Sequence, residues 1–282
     1  MFNGDLKKHA LEQLDKARNR YQLVAADVEK GCTELHGVRH YASTDLMATV
    51  ESFVSQLANS PKEFDKSYGT FRAETQSFCG LVKKLNFEAA NVEFTAGSSA
   101  VAGVAAGVGT AAFAPTAAMA VATTFGTAST GAAISGLSGA AATNAALAWL
   151  GGGALAAGGG GMTGGSALLA LAGPIGWGIG GAAIIGGGLY ARSKNKKLAE
   201  EAQAHRSEIE ASTRTLGVAK DWVTRMVDST QQHVQGMSEL LGVLIRAAPR
   251  DYQEFNGGQK EMLGALINHM NSLAKLLNKA PE

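Results

Sequence analysis

The chain has 282 residues, of which 25 are basic and 24 are acidic, so its formal net charge of +1 gives no electrostatic reason to expect nucleic-acid binding. Two cysteines are too few for a disulfide framework or a thiolate metal cluster, and they fit a reducing compartment. The N-terminus has no apolar run, which predicts that no secretory signal peptide is present.

The charged residues are confined to the two flanks of the chain. No Asp, Glu, Lys, Arg or His occurs between Glu93 and Arg192, which leaves 98 consecutive positions without an ionisable side chain. This uncharged block (residues 94–191) also contains 25 of the 36 glycines. The pattern predicts three parts, an N-terminal arm (1–93), the block, and a C-terminal arm (192–282).

The N-terminal arm has apolar or small residues at steps of three and four, which is the spacing of one face of an α-helix. That face comprises Leu6, Ala10, Leu14, Ala17, Tyr21, Val24, Val28, Cys32 and Leu35. We expect a second helix to begin at Ser43–Asp45 and a break at Asn59-Ser60-Pro61. A third helix follows, and its aromatic stripe is expected to be core rather than a ligand site: Phe64, Tyr68, Phe71 and Phe78.

The uncharged block is open to three interpretations. A flexible linker is disfavoured because the block contains Trp, Phe, Ile and many Leu and Val residues. A permanently buried core of a soluble domain would require the arms to enclose all of it. Membrane insertion is favoured, because a span needs about 20 mainly apolar residues and the block has room for two to four. The best candidate span is about 166–190, and the others are about 98–122 and 132–150.

Glycine at helical spacing gives the block a means of packing in lipid. Small residues four apart allow helix backbones to approach closely where the hydrophobic effect between helices is weak. The expected helix-packing positions are Gly103, Gly107, Gly160, Gly164, Gly161, Gly165, Gly176 and Gly180. These contacts predict a homo-oligomer or a tightly packed single chain.

Residues near the C-terminal border of the block are expected to lie at the membrane interface. Aromatic side chains favour that depth, and basic side chains favour the cytoplasmic side and anionic headgroups. The candidates are Trp149, Trp177, Tyr190, Arg192, Lys194, Lys196 and Lys197. With an even number of spans, both arms would be cytoplasmic. An alternative interpretation of the basic run is a solvated helix start.

The C-terminal arm repeats the helical pattern of the first. Its apolar period predicts one helix over about 192–247 and a final helix over 262–277, with a turn region between them that residues 248–251 and 256–258 mark. No strand alternation is present in either arm. We therefore predict an all-α protein whose arms pack as an elongated bundle or coiled coil.

No arrangement of residues indicates an enzyme, a cofactor or a metal site. The glycines at 176, 178 and 181 match a dinucleotide-binding spacing, but no strand precedes them, as such a loop requires. His36 and His40 are one helical turn apart without the third and fourth ligands that a metal site needs. No serine or cysteine has a catalytic setting, so we predict no catalytic residues, no cofactor and no metal.

The run "ATNAALAWLGGGALAAGGGGMTGGSALLALAGPIGWGIGGAAII" (142–185) resembles the glycine-zipper stretches of a loose group of bacterial proteins. The layout of the chain is similar in outline to α-helical pore-forming toxins, in which helical arms hold back a hydrophobic hairpin. The resemblance covers about a third of the chain and is compositional, and the block is longer and richer in glycine than a two-helix hairpin needs. It implies a membrane-damaging effector of bacterial defence or growth arrest.

The expected partners follow from this interpretation. They are a lipid bilayer, further copies of the chain, and a regulatory protein or small molecule as trigger, with no nucleic acid. We expect the protein at the bacterial inner membrane with cytoplasmic arms, or soluble in the cytoplasm before activation. Two other hypotheses remain open: a membrane-anchored scaffold or adaptor whose arms bind partner helices, and an effector gated by a ligand between the arms.

Overall fold

A computed structural model describes residues 2–95, 124 and 192–280. Helices account for nearly all of these residues, and the described part of the chain contains no β-strand. The prediction of an all-α protein with mutually packed arms is therefore confirmed for this part. Coiled-coil packing of the arms stays a prediction.

Five α-helices and two short helical turns follow one another in the described residues. The helices are α1 (Phe2–Tyr41), α2 (Met47–Gln56), α3 (Lys62–Thr95), α4 (Arg192–Ala247) and α5 (Gly257–Leu277). A π-helical turn spans Ala42–Leu46, and a 3-10 turn spans Tyr252–Glu254. The predicted helix over 192–247 is confirmed, and its 56 residues extend over about 84 Å at 1.5 Å per residue.

The predicted helix start at Ser43–Asp45 is wrong. The chain continues from α1 through the π-helical turn into α2 without leaving helical geometry. The Thr44 hydroxyl donates to the His40 carbonyl oxygen at 2.8 Å, and no glycine or proline interrupts the segment. Ser and Asp resembled a helix cap in sequence, but here they occupy a widened turn within a helix, a feature that side-chain periodicity does not reveal.

Helices α1 and α4 run parallel to each other. Ala10 shares a buried cluster with Ala199 and Ala202 near the start of both helices. Further along, Lys220 Nζ donates to Asp27 Oδ2 at 2.6 Å and Gln231 Nε2 donates to Glu34 Oε1 at 3.1 Å. Contacts therefore advance together along the two helices, so their N-termini lie at the same end of the bundle, which we call the open end.

Helices α3 and α5 run in the opposite direction, from the closed end, where two loops meet, toward the open end. Ala58 N donates to the Arg250 carbonyl at 2.7 Å, and Tyr252 N donates to the Ala58 carbonyl at 3.0 Å. Asn59 makes the predicted break with a left-handed φ of 54°. The predicted turn region lies between α4 and α5, and α5 begins within it at Gly257, where Asn256 forms a capping box with Gln259.

Two apolar cores lie one above the other along the bundle. The core nearer the open end joins α1, α3 and α4, with Val28, Leu35 and Leu216 at its centre. The core nearer the closed end joins α2, α3, α4 and α5, and it buries Phe64 and Phe71 of the predicted aromatic stripe. The apolar faces of the two arms are therefore packed against each other.

Candidate functional site

The predicted helix-packing and aromatic interface residues lie outside the described residues. They are Gly103, Gly107, Gly160, Gly161, Gly164, Gly165, Gly176, Gly180, Trp149, Trp177 and Tyr190, and the same holds for the candidate spans 98–122, 132–150 and 166–190. The four basic interface candidates fall in the first six residues of α4: Arg192, Lys194, Lys196 and Lys197. The described residues therefore show where the two helices that adjoin the uncharged block lie, namely α3 before it and α4 after it.

Both borders of the block belong to the half of the bundle at the open end. Helix α4 begins there, since its residue Ala199 lies beside Ala10 of α1. Helix α3 runs toward the same end: Phe78 contacts His36 with ring centroids 5.7 Å apart, and Thr95 lies about 25 Å further along the helix. Neither arm therefore needs to cross from one end of the bundle to the other to connect with the block.

The basic start of α4 is electrostatically unfavourable for the helix itself. A helix N-terminus carries a partial positive charge, and a basic residue there typically costs about 0.3–1 kcal/mol. The first turn of α4 contains no acidic residue, whereas α3 begins with Glu63 and Asp65, which suit the dipole. Helix stability thus explains the composition of the α3 start and leaves that of the α4 start unexplained.

Thr124, which lies in the middle of the block and is described apart from the residues around it, contacts the N-terminal arm. It is 1% exposed, and its side chain is hydrogen-bonded to the thiol of Cys32. Cys32 is fully buried in α1, and burial raises the pKa of its thiol to about 12. A threonine from the uncharged block therefore occupies a buried place on the bundle.

A buried arginine connects α1 to the end of α5. Arg39 is 1% exposed, and its Nη2 donates to the Lys279 carbonyl oxygen at 2.7 Å. The C-terminal end of a helix carries partial negative charge, which favours a cation at this place. Burial lowers the pKa of the guanidinium to about 10, so it keeps its proton at neutral pH. The hydrogen bond connects α1 to the chain just after α5, and no local pattern in the sequence indicates that Arg39 has this partner.

Two histidines meet across α4 and α5, and their pairing was not predicted. The Nδ1 atoms of His233 and His269 are 3.0 Å apart. Gly236 makes room for this contact, since a Cβ there would lie 2.5 Å from the His269 ring.

His36 is buried against Phe78 while His40 is exposed. Among the described residues, no group of three or more His, Cys, Asp or Glu is arranged to hold a metal ion.

No protein-family model matches the chain, and no curated protein and no solved structure is significantly similar to it. Of the helices in the described ranges, none has both the length and the hydropathy required to cross a bilayer.

Proposed function

We propose that the protein is a non-enzymatic effector that inserts its uncharged block into a membrane and permeabilises it. The observation that carries the proposal is the arrangement of the two borders, with α3 directed toward the open end and α4 starting there. A block of 98 residues without an ionisable group can enter hydrocarbon without burying a charge. An arrangement in which the arms remain on one side of the bilayer then requires an even number of spans.

Inside the bilayer, small residues would allow the inserted helices to pack closely. Residues Gly160, Gly164, Gly176 and Gly180 provide the four-residue spacing that permits backbone approach, within one chain or between copies. Assembly of several copies would convert inserted helices into a pore. This activity suits a bacterial defence or growth-arrest effector acting at the inner membrane from the cytoplasm.

The Thr124 contact supports a resting state before insertion. Thr124 is buried beside Cys32 of α1, which is the contact expected of a state that precedes insertion. The protein would leave this state when triggered by a partner protein or a small molecule. Lipid or further copies of the chain would then replace the contact.

The scaffold or adaptor function receives less support from the packing of the arms. Partner helices would need unoccupied apolar faces, whereas the apolar faces of α1, α3, α4 and α5 already form two shared cores. Expression in bacteria separates the functions, since a membrane anchor is tolerated and a pore arrests growth. Thermal stabilisation of the arms by an added nucleotide would support the ligand-gated variant of the effector.

The direct test replaces a packing glycine in the block by a bulky residue. We expect Gly164→Leu or Gly176→Leu to reduce dye release from liposomes at least several-fold, because leucine prevents close helix approach. Circular dichroism should show that the arms remain folded. Gly69→Leu is the matched control, because Gly69 is exposed on α3 with open space around it. Unchanged dye release by both block variants would refute the proposed packing.

A further inference from the structure

The start of α1 lies level with the basic start of α4. Ala10 contacts the region of Ala199 and Ala202, so Lys7 and Lys8 are within about one helical turn of the same level as Lys197. Lys8 and Lys197 are exposed, and Lys7 is half-buried. The parallel pairing therefore adds two lysines, far away in sequence, to the basic residues at the border of the block.

The starts of α1 and α4 together are more basic than the opposite end of the bundle. The starts of the two helices contain six basic residues, Lys7, Lys8, Arg192, Lys194, Lys196 and Lys197, against three acidic ones, Asp5, Glu200 and Glu201. At the closed end, the start of α3 balances Lys62 and Lys66 with Glu63 and Asp65. The positive charge is thus concentrated at the end of the bundle where the uncharged block rejoins the arms.

An exposed leucine accompanies these charges. Leu6, next to Lys7 and Lys8, is 49% exposed in the first turns of α1. Basic side chains beside an exposed apolar side chain match the boundary of a bilayer, where headgroups are anionic and acyl chains begin. The uncharged block adjoins the same surface through Arg192, and this continuity favours a membrane over a nucleic acid as the partner.

We propose that Leu6, Lys7 and Lys8 of α1 join the basic start of α4 in one docking surface for an anionic lipid bilayer. The inference rests on the proposed function, because it concerns the membrane on which that function acts. Docking through this surface would present the open end, and with it the Arg192 border of the block, to the headgroups before insertion. It makes the N-terminus of the chain part of the membrane-binding machinery.

The test measures binding of the full chain to vesicles of phosphatidylcholine, with and without phosphatidylglycerol, by sedimentation. We expect binding that requires phosphatidylglycerol and weakens with salt, and we expect Lys7→Ser/Lys8→Ser to reduce the partition coefficient about 10- to 30-fold. Lys62→Ser/Lys66→Ser, which removes two exposed lysines at the closed end, should bind like the unmodified chain. Thermal unfolding followed by circular dichroism verifies that both variants are folded.

Dye release from the same vesicles separates the docking surface from the proposed function. Lysine-dependent binding without dye release would retain the surface and refute permeabilisation. Dye release and binding that are unaffected by Lys7→Ser/Lys8→Ser would retain permeabilisation and overturn the surface. An equal loss in both double variants, or tighter lysine-dependent binding to RNA than to anionic vesicles, would also overturn it.

Discussion

Gly31 lies at a point where α1 and α4 approach each other closely. A Cβ on Gly31 would be 2.8 Å from Cγ1 of Val223, a buried side chain that has little freedom to move. Glycine destabilises the interior of a helix, so its presence here is explained by the lack of room for a side chain between α1 and α4. Gly37, six residues further along α1, is exposed and has no atom within 4 Å of an added Cβ.

Alanine substitution at these two glycines should change stability in opposite directions. Gly31→Ala gains helix propensity but overpacks the interface, and we expect a net loss of about 1–2 kcal/mol in the free energy of unfolding. Gly37→Ala gains helix propensity without overpacking, and we expect it to raise the free energy of unfolding by about 0.5–1 kcal/mol. Urea unfolding of both variants measures the difference. Equal stabilisation by the two substitutions would contradict the close approach at Gly31.

At the scale of the helices, apolar periodicity predicted which faces are buried. It identified α4 over its full length and the buried aromatic residues of α3, because apolar residues recur there every three or four positions. It failed at Ser43, where residues typical of a helix start lie in a π-helical turn. A stripe also contains no information on its partner or its direction, so the parallel pairing of α1 with α4 was not predictable.

The candidate site was also predictable only in the part that does not depend on how the helices pair. Composition alone delimits the block and its basic border, and those need no knowledge of tertiary contacts. The contribution of Lys7 and Lys8 depends on the parallel pairing, and the burial of Thr124 beside Cys32 depends on a contact across 92 positions of the chain. Such contacts leave no local pattern in a single sequence.

The contact between α1 and α3 should make the bundle sensitive to acid. Burial against Phe78 lowers the pKa of His36 from 6.5 to about 4, so the folded protein binds fewer protons than the unfolded chain between these values. The stability that depends on neutral His36 is present above pH 6.5 and is lost as the pH falls toward 4. We expect a loss of about 1–2 kcal/mol between pH 7 and pH 5.

Urea unfolding at the two pH values measures this loss. His36→Gln should make the difference between pH 7 and pH 5 smaller, since the unfolded chain then has no proton to gain at this position. His9→Gln, at an exposed histidine of the same helix, serves as the matched control and should leave the difference unchanged. If His36→Gln and the unmodified chain lost the same free energy, titration of His36 would not be the cause.

At the scale of the whole molecule, the arms form one bundle, and Thr124 is buried against it beside Cys32. A Thr124→Cys substitution, made together with Cys79→Ser, brings a second thiol next to Cys32. We expect oxidation to form the 32–124 disulfide, detected by faster migration on a non-reducing gel, because the two side chains are already in hydrogen-bond contact. Dye release from vesicles should then be suppressed and should return on reduction.

The control for this disulfide is Thr70→Cys with Cys79→Ser, since Thr70 is exposed on α3. It should form no intramolecular disulfide and should respond to oxidant no more than the unmodified chain. A disulfide that forms at position 124 yet leaves dye release unchanged would show that this contact does not have to open for permeabilisation. Failure to form the disulfide would contradict the contact itself.

Membrane insertion by the uncharged block is tested by comparing the full chain with one whose residues 94–191 are replaced by a Gly/Ser linker. Both proteins are mixed with anionic liposomes that contain a quenched dye, and membrane association is followed by flotation. We expect the full chain to float with the liposomes and release the dye, whereas the linker chain should keep its helical bundle and release none. Insertion by the block would be refuted by a full chain that stays in the aqueous fraction with the dye retained, or by a linker chain that releases dye equally well.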